Sequence, residues 1–204
     1  MLNQKDLERQ TMASKKESTF INMFLTLFLV TFIASAALGY IYEITKEPIA
    51  ISKMAKQNNA IMQVVPEYNN EPGNESYKIA IDGDSIQFFP AKKDGVLVGT
   101  AISTFTNKGF GGNVRLMVGL LPDGTINNIA VLEHKETPGL GDKMDKKKSP
   151  WSIQFNGKNP ADFKLIVKKD GGDVDAITAS TISSRAFCDA VNRAYKAYME
   201  GGQK

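Results

Sequence analysis

D-A-I-T-A-S-T, residues 175–181, runs directly into I-S-S-R-A-F-C-D-A-V-N-R-A-Y-K-A-Y-M-E-G-G. Ala186, Phe187, Ala190, Val191, Ala194, Ala197 and Tyr198 recur at helical spacing, and Gly201-Gly202 is a stop signal. Ser180, Thr181, Ser183 and Ser184 crowd the start of that helix. Their hydroxyl oxygens can accept from first-turn amides that have no partner within the helix. The same amides and the helix dipole favour a phosphate group. Taken alone the stretch is a capped amphipathic helix, because Ser and Thr caps are common and phosphate sites are not. What makes it notable is that Thr181 presents a hydroxyl where a phosphate could be held.

Two Gly-rich loops shift that balance. One is N-K-G-F-G-G at 107–112, continued by the strand-like N-V-R-L-M-V-G-L-L. The other is E-H-K-E-T-P-G-L-G-D-K at 133–143. Glycine tolerates positive φ and lets backbone amides approach a ligand closely. Either loop by itself reads as a turn.

The three motifs together resemble the FMN-binding domain of the G subunit of Rnf-type electron transport complexes. That domain is shared with the C subunit of sodium-pumping NADH:quinone reductases. In this family a flavin transferase recognises D-x-x-(S/T)-x-(A/S)-T and esterifies the last threonine with the phosphate of FMN. Asp175 matches the first position, Thr178 the fourth, Ser180 the sixth and Thr181 the acceptor, while Ala179 and Ser180 stand where glycine and alanine are usual. The run E-T-P-G-L-G-x-K matches without a gap from Glu136 to Lys143, and Y-E-I-T-K-E-P-I at 42–49 also looks like the G subunit. The resemblance implies covalent FMN on Thr181. Glu136, Thr137, Gly139, Leu140, Gly141 and Thr178 would lie against the flavin, with the Lys108–Gly112 loop, Gly111 included, close by. Lys108 or Lys143 would help the helix amides offset the phosphate charge. It also implies electron relay inside a membrane complex that couples ferredoxin oxidation and NAD reduction to ion movement. The partners implied are the complex's other membrane and iron–sulfur or flavin subunits, and the maturing transferase.

Composition narrows the alternatives. A net charge of +3 with dispersed basic residues is too small to argue for nucleic acid. Cys188 is the single cysteine, so no disulfide and no C-x-x-C iron–sulfur or zinc site can form within the chain, and its place in the helical pattern predicts a buried thiol. His134 is the single histidine, and no Ser–His or Cys–His set assembles around it. Glu133, Glu136, Asp142 and Asp145 share one segment without metal-ligand spacing, so no metal site is predicted. No G-x-G-x-x-G follows a strand and opens a helix, so the chain has no NAD site of its own. Catalysis would then rest on the flavin alone. Lys146, Lys147 and Lys148 read as a solvated basic face.

Residues 18–42 carry no formal charge, and a bilayer core needs about 20 apolar residues in a helix. Tyr40 and Tyr42 sit where interfacial aromatics belong. Ala34-Ser35-Ala36 resembles a signal cleavage site, but the apolar run and the charged stretch before it are long, which favours a retained anchor. The expected organisation is a cytoplasmic N-terminus at 1–17, a transmembrane helix at 18–44, a membrane-proximal helix and linker at 45–76, and an FMN-binding domain at 77–204. Lysines and arginines flank the span almost evenly. The resemblance decides the orientation: a single pass through the bacterial cytoplasmic membrane with the flavin domain outside.

Within 45–76, a helix is predicted over 47–65, with Pro48 in its first turn and Ile49, Met54, Ile61, Val64 and Val65 as its apolar side. Strands are predicted at 77–81, 85–90, 96–105, 114–121 and 126–133, divided by Asp82-Gly83, Asp94-Gly95 and Asp123-Gly124. A last short strand is predicted at 164–168. Val96, Val98 and Ile102 should share one face, as should Leu116, Val118 and Leu120. The fold class is α+β, an antiparallel sheet with flanking helices behind one transmembrane helix. The alternatives are the quinone-reductase subunit, a tethered sensory or scaffold module binding free FMN, and a structural subunit that has lost its flavin.

Overall fold

Local hydrogen bonding carries the chain out of its apolar segment without a break. The computed structural model describes residues 19–81 and 84–201. The 1–17 stretch, the Asp82-Gly83 turn and Gly202 lie outside them. Two compact units divide between Ile51 and Ser52. The first holds the apolar part of α1, a helix of 45 residues over Phe20–Val64. An 18-residue window of it has a mean hydropathy of 2.1, with none of that window buried by protein. Phe24, Leu25, Phe28, Phe32 and Ile33 are all exposed. This helix is long and apolar enough to cross a membrane, where that exposed surface would meet lipid. Thr26 and Thr31 donate their hydroxyls to the carbonyls of Asn22 and Leu27 at 2.7 and 2.9 Å, which removes the cost of an unpaired hydroxyl in hydrocarbon.

The two helices predicted over 18–44 and 47–65 are one. Pro48 lies inside α1 rather than in a first turn. A mid-helix proline forfeits one amide and crowds the carbonyl four residues back. Ala50, Met54, Ala55 and Lys56 after it are strong helix formers, and Glu43 and Lys46 pair at 2.5 Å before it. Of the predicted apolar side, Ile61, Val64 and Val65 are buried, whereas Ile49 and Met54 are exposed.

The second unit is built on five strands in sequence order, each antiparallel to the next. They are β1 (Tyr77–Ile81), β2 (Asp84–Lys93), β3 (Val96–Gly109), β4 (Gly112–Leu120) and β5 (Ile126–His134). Alternation sends Phe88, Ile102, Leu116 and Val118 to one face, where they pack with Phe187, Val191 and Tyr198 of the C-terminal helix α2 (Thr181–Gly201). Phe89, Ala101 and Met117 point to the other face and pack with Ala60, Ile61, Val64 and Val65. The sheet therefore sits between two helical layers.

Two expectations fail for local reasons. Leu97 pairs with Lys92 and Gly99 with Ala91, so Val98 is an extra residue in β3. That bulge inverts the alternation: Val98 packs beside Ala101, Ile102 lies in the opposite core, and Val96 is exposed. Residues 164–168 form no strand. Leu165 and Val167 are buried and Ile166 is half-exposed, which produces the alternating pattern, but only a single bridge joins Val167 to Val174. The chain doubles back at Gly171, with φ +86, before a ladder can form.

The end of α1 is fastened to the sheet by side-chain caps. Asn127 and Asn128 donate to the carbonyls of Val64 and Gln63, both at 2.7 Å. Gly119 lies directly beneath, and a Cβ there would fall inside the Val64 carbonyl oxygen. Gly119→Ala should therefore lower the stability of the full chain in detergent by about 1–3 kcal/mol, as overpacking does. Gly73→Ala, where a Cβ meets nothing, is the control. Circular-dichroism melting of both variants checks this, with a lower midpoint expected for Gly119→Ala alone.

Candidate functional site

The loop before α2 is held by its backbone. The Trp151 indole donates to the Asp175 carbonyl at 2.6 Å, and the Asp175 amide donates to Gln154 Oε1 at 2.8 Å. Trp151 is itself set edge-on against Phe155 and Phe187. Both partners of Asp175 come from the 3-10 helix Pro150–Phe155. The chain then turns: Ser180 N–H donates to Ile177 O at 2.9 Å, and Ala179 takes a left-handed φ of +59. Ser184 locks the turn onto the helix. Its Oγ accepts from Ile177 N–H at 2.9 Å and donates to Ser180 O at 3.0 Å. A residue with a Cβ is strained at such a φ, which supplies a physical reason for the glycine usual at position 179.

The serines predicted as helix caps serve other partners. Ser183 donates to Glu136 Oε2 and lies 2.9 Å from Ser180 Oγ. Among the described residues, these hydroxyl bonds leave the first-turn amides of α2 without a side-chain cap. Glu136 is only 5 % exposed, and its other oxygen accepts from Gly111 N–H at 3.0 Å. A Cβ on Gly141 would strike both Ser183 Oγ and this carboxylate. One buried carboxylate thus joins the β3–β4 turn, the 136–141 loop and the start of α2. Its own amide donates to His134 Nδ1 at 3.2 Å.

The 136–141 loop turns as its composition dictates. Leu140 N–H donates to Thr137 O at 3.1 Å, and Gly139 has φ +77. Pro138 and Gly139 therefore occupy the two central positions of a type II turn. That turn sets Thr137 and Leu140 on the wall of a cleft of about 370 Å³, lined also by Phe110, Glu136, Gly141, Ala179, Ser180, Thr181, Ile182 and Ser183. Six predicted residues meet here: Glu136, Thr137, Leu140, Gly141, Ser180 and Thr181. Gly139 shapes the turn and Gly111 anchors Glu136 from behind, and neither lines the cleft. Asp175 and Thr178 are exposed on the loop, with Asp175 paired to Lys168 at 2.8 Å. Lys143 is exposed and does not line the cleft.

Lys108 belongs elsewhere. Its Nζ is 2.6 Å from Asp189 Oδ1, in a separate polar cleft with Asp84, Thr106 and Arg193. Burial pushes the Asp189 carboxyl up, but hydrogen bonds from Lys108 and Thr106 outweigh it and hold the group below the usual carboxylate range. Cys188 is buried, and burial pushes its thiol up to about 12, so it remains a protonated, unreactive core residue. Lys146 is half-buried beside Asn128, and burial lowers its ammonium from the ordinary value.

Ala179, Ile182 and Ser183 line the cleft beyond the residues expected there, and Phe110 joins them from the Lys108–Gly112 loop. Phe110 lies inside the first Gly-rich loop. Ile182 interrupts a run of hydroxyl residues and falls outside the apolar helical stripe, which is a legible sign of an exposed apolar side chain.

The FMN-binding domain family matches residues 109–196, which hold the whole cleft. The chain is similar to the G subunit of the ion-translocating oxidoreductase complex of Erwinia tasmaniensis, at 37 % identity over 177 residues, covering 82 % of this chain and 84 % of the relative. The Aliivibrio fischeri protein of the same name is 34 % identical over 191 residues, covering 86 % and 90 %. That of Haemophilus influenzae is 37 % identical over 160 residues, covering 75 % and 77 %. With such identity sustained over most of both chains, this protein belongs to the family of G subunits of ion-translocating oxidoreductase complexes.

Proposed function

We propose that this chain is a membrane-anchored flavoprotein that relays electrons within an ion-translocating oxidoreductase complex, with FMN held as a phosphoester on Thr181. Family membership and the FMN-binding domain support the relay. The relatives' names favour this complex over the quinone reductase. The observation that carries the attachment is the presence of Thr181 in one cleft with Glu136, Thr137, Leu140 and Gly141.

The cleft suits a flavin nucleotide in kind. Its volume lies in the range of roughly 300–1,000 Å³ usual for small-molecule sites. Phe110, Leu140 and Ile182 give it apolar walls, and the hydroxyls and amides at the start of α2 give it a polar end. Bound there, the flavin supplies the electron-accepting and electron-donating chemistry that no side chain of this protein provides. Thr181 contributes the ester oxygen. The uncapped amides of the first turn of α2 and its dipole offset the charge the phosphodiester keeps. Lys108, spent on Asp189, has no part in this, and Lys143 lies off the cleft. Asp175 and Thr178 are exposed, so a transferase can read them. Covalent attachment suits a domain outside the cell, where a dissociated cofactor would be lost to dilution.

The same reading sets α1 across the cytoplasmic membrane with the N-terminus inside and the flavin domain outside, among the complex's other subunits. A reporter enzyme that is active only outside the cytoplasm, fused after Lys204, should be active. Activity only of a cytoplasmic reporter at that site would reverse the orientation.

Made with a flavin transferase, the chain should give a band on a denaturing gel that fluoresces under ultraviolet light, and Thr181→Ala should abolish it. Fluorescence surviving Thr181→Ala would refute the attachment. Ala179 supplies an independent check. Ala179→Gly relieves the left-handed strain and should raise stability by up to about 1 kcal/mol while keeping the band. Ala179→Val, β-branched at φ +59, should lower both the melting midpoint and the fraction loaded.

A further inference from the structure

A groove of about 470 Å³ runs between the end of α1 and the last strand of the sheet. One wall is a single face of α1, where Ser52, Ala55, Lys56, Asn59, Ala60 and Gln63 recur at helical spacing. The other takes in four consecutive residues of β5, Ile129 to Leu132. Alternate residues face opposite sides of a sheet, so contact with all four means that the groove follows the edge of the strand. β5 ends the sheet, and among the described residues no strand pairs with that edge. Three lysines set the charge of the groove, Lys56, Lys146 and Lys147, against one carboxylate, Asp145. Lys146 is half-buried rather than solvated, and its ammonium donates to Asn128 Oδ1, a neutral amide oxygen. Asn128 is itself fixed: its Nδ2 donates to Gln63 O at 2.7 Å, and its Oδ1 accepts from Ile129 N–H at 2.9 Å. The Lys56 ammonium donates to the Leu132 carbonyl. Asp145 Oδ1 accepts from the Lys147 amide at 3.0 Å. Among the described residues none of these three lysines pairs with a carboxylate, although lysines elsewhere on the chain do. Lysines beside an edge strand ordinarily keep it from pairing with another chain. That role suits an ammonium free in water, whereas two of these are held against the strand by neutral acceptors. A cation taken partly out of water without a counter-charge is unfavourable, and burial lowers the Lys146 ammonium accordingly. An anion in the groove would offset that cost.

We propose that this groove seats an extended segment of a neighbouring subunit, with Asp or Glu side chains of that segment meeting Lys56 and Lys146. Membership in a family of complex subunits supplies the neighbours, and the proposal does not depend on the flavin. The shape favours a peptide over a small anion. Ala55, Ala60, Ile129 and Leu132 give the groove apolar surface as well as charge. It also follows a strand edge, where main-chain groups can bond to an added chain, and the Leu132 carbonyl already faces the Lys56 ammonium there. The two acceptors, Leu132 and Asn128, lie about 13 Å apart along an extended strand, so acidic side chains four residues apart on one face of the segment match them. Carboxylates in those places exchange neutral acceptors for charge-assisted hydrogen bonds. Both lysines are already held by the fold, so little side-chain freedom is lost on docking.

The test uses the assembled complex in its membrane, with a photo-crosslinking benzophenone amino acid in place of Asn59, which is exposed in the groove. Irradiation should join this chain to another subunit, and sequencing of the joined peptide should find Asp or Glu close to the attachment. Lys56→Glu combined with Lys146→Glu should lower the yield by about tenfold or more, the scale of losing a desolvated interfacial charge pair. Changing the mapped acidic residues to Lys in that background should restore it. Should the double reversal fail to fold, as judged by circular-dichroism melting, Lys56→Gln and Lys146→Gln carry the test, and each should still lower the yield. No cross-link, a joined peptide without carboxylates, attachment to lipid, or a yield unchanged in the folded lysine variants overturns the proposal. The fluorescent flavin band is read on the same gel. Its loss bears on Thr181, whereas the groove is judged by the cross-link alone.

Discussion

A carboxylate buried away from water is tolerated only when its oxygens are hydrogen-bonded, and the start of the C-terminal helix is arranged around meeting that requirement at Glu136. One oxygen takes the Gly111 amide and the other the Ser183 hydroxyl. Losing either donor would leave a buried acceptor unpaired, at a cost of about 1–3 kcal/mol. The β3–β4 turn, the 136–141 loop and the start of α2 are thus bound to one another through a single side chain. The glycines at 111 and 141 are the geometric consequence, because a Cβ on Gly111 would strike the Lys135 backbone and one on Gly141 the side chains of Ser183 and Glu136. The cleft exists because these three segments cannot drift apart.

The requirements of the cleft extend outward into the fold. Its polar end is the first turn of α2, so α2 must be placed accurately. It is: Phe187, Val191 and Tyr198 are buried against the sheet, and Trp151 and Gln154 hold the approaching loop by the backbone of Asp175. Holding that loop by its backbone leaves its side chains pointing outward, and Asp175, paired with Lys168, and Thr178 remain on the surface. Ser184 completes the arrangement by bonding both ends of the 177–180 turn. The strain at Ala179 is contained within this over-determined turn, as strained residues at functional sites usually are.

The relation between charge and site is less direct than residue type suggests. Lys108 and Lys143 flank the two Gly-rich loops in sequence, and a phosphate makes both tempting partners. Asp189, far along the chain from either loop, captures Lys108 at 2.6 Å and also takes the Thr106 hydroxyl. A phosphate at the polar end of the cleft, as proposed above, would then depend on backbone dipoles. These cost nothing to reorganise and are indifferent to side-chain mobility.

Much of the fold is set by patterns that are local. The apolar run, the amphipathic stripe of α2, the Pro-Gly turn at 138–139 and the five strand segments each depend on neighbours within a few residues, where periodicity and turn chemistry act directly. The clustering of Thr181 with the 136–141 loop was also approachable, because motif chemistry pointed to both. Other features depend on pairing and context that periodicity alone does not display. Val98 faces away from Ile102 because the register with β2 slips by one residue, and α1 continues through Pro48 because its neighbours sustain it. Residues 164–168 alternate in burial without a strand to pair with. Serines that read as caps bond instead to Glu136, to one another and to the 177–180 turn, and Phe110 acquired its place on the cleft only when the β3–β4 turn met the start of α2. Short-range sterics and hydrogen bonding are written residue by residue. Burial and long-range pairing are properties of the packed chain, and there the final arrangement of the site was decided.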